Sequence, residues 1–240
     1  TLMDSLKRQW EEEGYILVRG LFDPQRTEKL RVICDAVLEQ WRKKCPLTGK
    51  AGIDTPDVTN MRHLNHPGYA KVYPSAVQEI LETTADPELL KICRTILGDE
   101  PMFRSTSLFM NPLETSADGN WHRDSQFLCP DEEEEKKMVA ERGSAGTSIQ
   151  LQIALVPSSD IEIVPKSHLR WDTEEEYAIR RADGGAHNRS NSMPNALRVE
   201  MEAGDAVAFN PMALHRGRYH TDKLRRTLML TYTSKSFPRS

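Results

Sequence analysis

Apolar residues in the first hundred positions recur mostly at helical spacing, with one strand-like run between them. Asp4 reads as the cap of a helix that continues through Trp10 and stops at Gly14, and Tyr15, Ile16, Leu17 and Val18 then make a short strand ended by Gly20. Asp23 followed by Pro24 is an N-cap and first-turn pair, after which Leu30, Ile33, Val37 and Trp41 keep a 3.6-residue rhythm toward Lys43 and Lys44. The stretch from Cys45 to Pro67 is polar, contains Gly and Pro, and has no period. Asp86 and Pro87 open a further helix, with Leu89, Leu90, Ile92 and Ile96 as its apolar positions and Gly98 as its stop. One-faced helices of this kind need a sheet to pack on.

From Pro101 the pattern changes to short extended runs, 103–110, 147–156, 161–164, 197–200, 206–210 and 227–233, separated by Pro, Gly, Asn and Asp. Helices first and strands afterwards predict a mainly β fold, a barrel or sandwich backed by an N-terminal helical layer. The chain reads as one domain over 1–240, with the helical layer and a first strand in 1–100 and the barrel in 101–240. Two insertions interrupt the barrel. Asp131 to Arg142 carries a run of glutamates and lysines that reads as a solvated helix or loop face. Arg180 to Ala196, with Gly184, Gly185 and Pro194, reads as a long loop.

Composition narrows the function classes. With 38% hydrophobic and 28% charged residues and a net charge of −4, the chain can bury a core and has no positive excess for a polyanion, so nucleic acid is not the default partner. No run approaches the ~18 apolar residues of a membrane span. Asp4, Lys7, Arg8 and the glutamates at 11–13 break up any apolar leader near Thr1, while the missing initiator Met points to trimming. Cys34, Cys45, Cys93 and Cys129 have no CxxC spacing and read as reduced thiols, which predicts a cytoplasmic location.

The chemistry is concentrated in a few polar positions. His122 and Asp124 are two residues apart, and in an extended strand such positions share a face, so an imidazole and a carboxylate would converge as a chelating pair. His215, which follows the 206–210 strand and a Pro-containing turn, is the best third ligand. Two histidines and one carboxylate with open positions suit non-haem Fe(II), although zinc hydrolases can share the set. His63, His66, His187 and His220 lie in polar loops and read as surface residues.

The order of these motifs resembles the phytanoyl-CoA dioxygenase family of Fe(II)- and 2-oxoglutarate-dependent oxygenases. The resemblance rests on His122-Arg123-Asp124, the Val164-Pro165-Lys166-Ser167-His168 turn, Gly204-Asp205 before a strand, the lone His215 and an Arg ten residues on. The opening from Gly14 to Phe22 into the Asp23-Pro24 helix is similar as well, and Lys166 stands where the family commonly has Gly. The resemblance implies a double-stranded β-helix (jelly-roll, cupin-like) barrel in which His122, Asp124 and His215 hold iron. It also implies an Arg on the last strand that grips the distal carboxylate of 2-oxoglutarate, with O2 as the second co-substrate. Arg225 and Arg226 compete for that role. Arg225 shares a face with Thr227, Met229 and Thr231, the mixed face that suits the barrel interior, so parity favours Arg225 with Thr227 beside it. No catalytic side chain beyond the metal ligands is implied.

The resemblance predicts oxidation of a small molecule with release of succinate and CO2. Asp124 is present where halogenating relatives have a small residue, which favours hydroxylation, desaturation, demethylation or ring closure over halogenation. Basic residues around the expected mouth, Arg62, His63, Arg123, Lys166, His168, Arg180, Arg181, Arg189, Arg216 and Arg218, suggest an anionic or polar substrate. Arg62 and His168 are the first choices for contacting it, and Gln152 is a further candidate, since strand parity puts it on one face with Gln150, a face that looks either into the barrel or out to solvent. The segments 45–67 and 180–196 are expected to cover the mouth as lids, with Arg62 and one of Arg180, Arg181 or Arg189 facing the substrate. The competing class is a non-catalytic metal- or ligand-binding barrel of the same fold. A zinc hydrolase lacks an obvious general base near the ligands.

Overall fold

The computed structural model describes residues 1–43 and 56–237, so Lys44, Cys45 and the rest of 44–55 lie outside the described residues. The strands are β1 (Tyr15–Val18), β2 (Asn60–Arg62), β3 (Pro101–Met110), β4 (Ala117–Asp118), β5 (Ser148–Ala154), β6 (Ser158–Ile163), β7 (Leu197–Met201), β8 (Ala206–Phe209), β9 (His215–Tyr219) and β10 (Arg226–Ser234). They form a six-stranded sheet in the order β1-β8-β5-β10-β3-β2 and a four-stranded sheet in the order β4-β9-β6-β7. All the pairings are antiparallel, and the non-sequential order is that of a jelly-roll barrel.

Strand parity decides which side of the large sheet meets the helices. Leu228, Leu230 and Tyr232 of β10 and Leu151 and Ile153 of β5 are buried in one cluster with helical residues such as Leu30, Val37, Ile80 and Ile92. The opposite face of the sheet supplies Ala154, Val207 and Phe209, which pack with Ile161, Ile163, Val199 and Met201 of the small sheet. Each large apolar side chain removed from water here contributes about 1.5–3 kcal/mol. The first cluster therefore seals the large sheet against the helices, and the second lies inside the barrel, where it shares the interior with polar residues such as Gln150, Gln152 and Asp124.

The helical layer comprises α1 (Leu2–Glu13), α2 (Pro24–Arg42), α3 (Pro67–Val72), α4 (Pro74–Thr84) and α5 (Pro87–Leu97). Asp23 caps α2 by accepting from the Arg26 amide, and Asp86 caps α5 by accepting from the Leu89 amide, as the sequence pattern requires. Asp4 is not a cap. Thr1 holds that position, and Asp4 closes a capping box from the third helical residue. Nothing in the sequence reading places α4, whose Ala76, Val77 and Ile80 are buried but which has no capping side chain to announce it. Among the described residues no helix is long and apolar enough to cross a membrane.

The barrel insertions fold as α6 (Ser125–Leu128), α7 (Glu132–Arg142) and α8 (Glu174–Arg180). The glutamate run is not simply a solvated face, because Glu135 within α7 is fully buried against Arg180 and Arg181. Arg180 closes α8 rather than opening a loop. Lys166 takes a left-handed backbone with φ +69, so the family turn keeps the conformation that favours Gly although a lysine occupies it.

Gly14 ends α1 at φ +83, and a Cβ there would lie 2.5 Å from Nδ1 of the buried His168 ring. Gly14→Ala therefore combines left-handed strain with a clash against an interior side chain. The variant is expected to lose more than about 1 kcal/mol of stability. A denaturant midpoint indistinguishable from that of the unaltered chain contradicts this packing.

Candidate active site

Three segments meet in a cavity of about 300 Å³ between the sheets, lined among others by His122, Asp124, His215, Gln150, Gln152 and Arg225. His122 is joined to His215 by a single antiparallel bridge, with the His122 amide donating to the His215 carbonyl at 3.1 Å and the reverse bond at 3.0 Å. The expectation of one extended strand carrying both His122 and Asp124 is corrected. Asp124 lies at φ −66, ψ −22 at the head of α6, where its amide donates to the Pro211 carbonyl, so a helical turn delivers the carboxylate.

One ligand atom from each of His122, Asp124 and His215 lies within 4.8 Å of the other two. Asp124 Oδ1 is 3.2 Å from His215 Nε2 and 3.6 Å from His122 Nε2. Each Nδ1 faces a backbone carbonyl two residues back, that of Asn120 at 2.7 Å for His122 and of Ala213 at 2.8 Å for His215. The carbonyls require a proton on Nδ1, which leaves both Nε2 lone pairs turned toward Asp124. Burial, and then the neighbouring His215, push the His122 pKa down to about 4, so this imidazole is neutral at pH 7. Burial opposes ionisation of Asp124, but its contacts with His215, His122 and Gln150 outweigh it and hold the carboxyl below its ordinary range. Gln150 Nε2 donates to Asp124 Oδ2, so only Oδ1 faces the histidines. Two imidazole nitrogens and one singly presented carboxylate oxygen form a donor set that fits Fe(II) with positions left open.

Arg225 is buried and has no carboxylate partner among the described residues. Its Nη1 donates to the Arg218 carbonyl at 3.3 Å and its Nε to Thr227 Oγ1 at 3.4 Å. The guanidinium carbon lies 5.0 Å from the ring centres of both Phe109 and Tyr219. Gly217 leaves room beside it, since a Cβ there would lie 2.9 Å from Arg225 Nη1 and 2.7 Å from the Tyr219 hydroxyl and would displace those side-chain ends. Arg226 points the other way, to Asp35 on α2 at 2.6 Å. The geometry thus puts Arg225 alone of the two in the cavity, where its unpaired charge fits a carboxylate. Thr227 is buried against Arg225 Nε and is not part of the cavity wall.

Of the expected substrate contacts, Arg62 and Gln152 line this cavity. His168 does not. Its Nε2 faces the Glu11 carbonyl at 2.9 Å, because the Lys166 amide bonds to the Glu13 carbonyl and draws the whole turn toward α1. The basic cluster at the mouth also needs correction. Arg123 pairs with Asp172, Arg180 with Asp172 and Glu135, Arg181 with Glu135, and Arg216 and Arg218 with Glu162. Arg62 makes no ion pair among the described residues, and Arg189 donates to Asn120 Oδ1. A second cavity of about 450 Å³, which includes Arg189, Asn120, Thr59 and Asp118, shares His122, Phe127, Gly217 and Tyr219 with the first and forms its vestibule. Of the two segments expected to cover the mouth, 45–67 contributes Thr59 and Arg62 to the cavity walls from its described residues, and 180–196 contributes Arg189 but neither Arg180 nor Arg181.

Sequence reasoning missed Phe109, Gly217 and Tyr219. The last two could have been found from His215, since the three alternate along β9 and share its inward face.

No curated protein matches the sequence. Three solved structures of similar fold are AviO1 from Streptomyces viridochromogenes Tue57 (16% identity, 99% of this chain and 97% of that chain, TM-score 0.67), the epimerase SnoN from nogalamycin biosynthesis in complex with Fe3+, alpha ketoglutarate and nogalamycin RO (16%, 97% and 84%, 0.58), and EctD from S. alaskensis with 2-oxoglutarate and 5-hydroxyectoine (15%, 97% and 76%, 0.64). At these identities the likeness is one of fold. The sequence itself matches the phytanoyl-CoA dioxygenase family over residues 10–227. The chain belongs to that family and is a non-haem Fe(II)- and 2-oxoglutarate-dependent dioxygenase with O2 as co-substrate.

Proposed function

We propose that the protein hydroxylates a small anionic or polar metabolite, with His122, Asp124 and His215 as the iron ligands and Arg225 as the anchor of 2-oxoglutarate. The observation that carries this reading is the pairing, in one cavity, of a three-ligand cluster with a buried guanidinium that has no counter-ion among the described residues. Bound iron with 2-oxoglutarate and O2 supplies the oxidant, the keto acid leaving as succinate and CO2 and one oxygen atom entering the substrate as a hydroxyl. SnoN with alpha ketoglutarate and EctD with 2-oxoglutarate support this co-substrate in the same fold.

The chain's own residues divide the work. Arg225 orients the distal carboxylate through a planar fork that cannot lose its charge, and Thr227 with the Phe109 and Tyr219 rings holds that fork in place. Gln150 keeps Asp124 Oδ1 aimed inward. Gln152 brings a buried Oε1 with no partner among the described residues, an acceptor suited to a hydroxyl or N–H of the substrate. Arg62, with Arg189 in the vestibule, supplies positive charge that favours an anionic group, since Arg123, Arg180, Arg181, Arg216 and Arg218 are held by carboxylates. The buried, unpaired thiols of Cys34, Cys93 and Cys129 support a reducing, cytoplasmic setting.

The test is succinate release from 2-oxoglutarate with Fe(II) and O2 across a panel of small carboxylates and phosphates, each matched with a neutral ester. The charged member of a pair is expected to stimulate turnover more than its ester, and Arg62→Gln should shrink that preference by about 10-fold or more, one charged hydrogen bond being worth about 1.5–3 kcal/mol. An unchanged preference in Arg62→Gln removes Arg62 from substrate recognition.

A further inference from the structure

The insertions that carry α7 and α8 are not explained by iron or co-substrate binding, yet both run into the residues that bracket Asp124. Arg123, between two of the ligands in sequence, is fully buried, and its Nη1 donates to the Ser167 carbonyl at 2.5 Å and the Met212 carbonyl at 2.7 Å. Met212 belongs to the loop that leads into His215, and Ser167 Oγ accepts from the Leu214 amide at 2.8 Å. One guanidinium thus ties the His122–Asp124 turn to the segment that delivers the third ligand. On the other side of Asp124, the Ser125 hydroxyl donates to Glu135 Oε2 at 2.6 Å.

These two ties are ends of one buried chain of alternating charge. Arg123 Nε meets Asp172 Oδ1 at 2.9 Å, Asp172 Oδ2 meets Arg180 Nε at 2.8 Å, and Arg180 Nη1 meets Glu135 Oε2 at 2.8 Å, with all four side chains fully buried. Arg181 also binds Glu135 at 2.7 Å. Trp171 packs beneath both guanidiniums, with Arg180 5.0 Å and Arg123 6.0 Å from the ring centre. A buried ion chain is a costly way to gain stability, and its best use is to hold one geometry. A cation so close to a metal site would also repel the metal unless it were compensated, and Asp172 and Glu135 compensate it.

We infer that Arg123 and Ser125 are positioning residues for the iron site, and that the Arg123–Asp172–Arg180–Glu135 chain is a brace that holds the ligand turn in register. The inference rests on the assignment of His122, Asp124 and His215 as ligands. Partners of this kind behind a metal ligand typically affect affinity by about 10- to 100-fold.

Co(II) alone, titrated calorimetrically into the metal-free full-length chain, tests the brace without turnover. Arg123→Lys keeps the charge and loses the fork, and it is expected to weaken Co(II) by about 10- to 100-fold, with Ser125→Ala toward the lower end of that range. Arg123→Gln should also weaken Co(II), whereas a purely electrostatic role predicts tighter binding once the nearby cation is gone. The control is Arg170→Lys, at the exposed rim beside Glu176, which should stay within about twofold. The brace is refuted if folded Arg123→Lys and Ser125→Ala bind Co(II) like the unaltered chain, or if Arg170→Lys loses as much. Should the Arg123 variants fail to fold, Ser125→Ala decides alone. If instead Asp124→Ala and His215→Ala retain Co(II), the ligand assignment has failed rather than the brace.

Discussion

Asp124→Ala and His215→Ala are each expected to abolish Fe(II)-dependent succinate release and to cut metal affinity by more than the ~100-fold upper bound for residues behind a ligand. Each substitution removes one of three donors whose ligand atoms lie within 4.8 Å of one another, and no other group of His, Cys, Asp or Glu among the described residues offers such a cluster. The clearest reading is thermal. A ligand at 100 times its Kd stabilises a folded protein by about 2.7 kcal/mol, and for a chain of this size each kcal/mol moves Tm by about 2–4 °C. Co(II) should therefore raise the Tm of the unaltered protein by roughly 5–10 °C and leave both variants unmoved. Asp124→Ala is the cleaner of the two, because its carboxylate is partly exposed and its loss leaves only Gln150 Nε2 to find water. A normal metal-induced shift in Asp124→Ala would overturn the site.

What could be read from the sequence was what local rules decide. The Asp23-Pro24 and Asp86-Pro87 caps act within one helical turn, and both helices begin where those pairs require. Period-two parity on β10 put Arg225 and Arg226 on opposite faces, as the structure has them, because Leu228, Leu230 and Tyr232 form an apolar face that has to meet the helices. β9 was illegible. Its residues His215 to Tyr219 carry charge where a strand usually alternates, and their compensating carboxylate, Glu162, is 54 residues from Arg216.

The same distance effect hid the fate of the basic cluster. Arg123 is 49 residues from Asp172 and Arg180 is 45 from Glu135, so cations scattered along the sequence looked like a charged mouth when Arg123, Arg180, Arg181, Arg216 and Arg218 are held by distant carboxylates. His168 failed for a different reason. The turn that bears it has the expected left-handed residue, but a backbone bond to Glu13 aims the ring at α1, and no motif encodes that direction.

Arg225→Lys is expected to raise the KM for 2-oxoglutarate by about 10- to 150-fold, the equivalent of one charged hydrogen bond worth about 1.5–3 kcal/mol. An ammonium preserves the charge but cannot present two parallel N–H groups to a carboxylate, nor reproduce the contact of the guanidinium with the Phe109 and Tyr219 rings, each 5.0 Å from its central carbon. Metal binding should survive, because Arg225 is anchored to Thr227 and the Arg218 carbonyl and not to the ligand turn. That separates its role from those of Asp124 and of the Arg123 brace. Arg226→Lys is the matched comparison, since it makes the same change one residue along. Its guanidinium serves Asp35 and Asn111 on the outer side of the sheet, so it should alter stability by about 1 kcal/mol or less and leave the co-substrate KM unchanged. If calorimetry of the metal-loaded protein with 2-oxoglutarate finds the affinity loss in Arg226→Lys and not in Arg225→Lys, the orientation of the last strand assigned here is reversed.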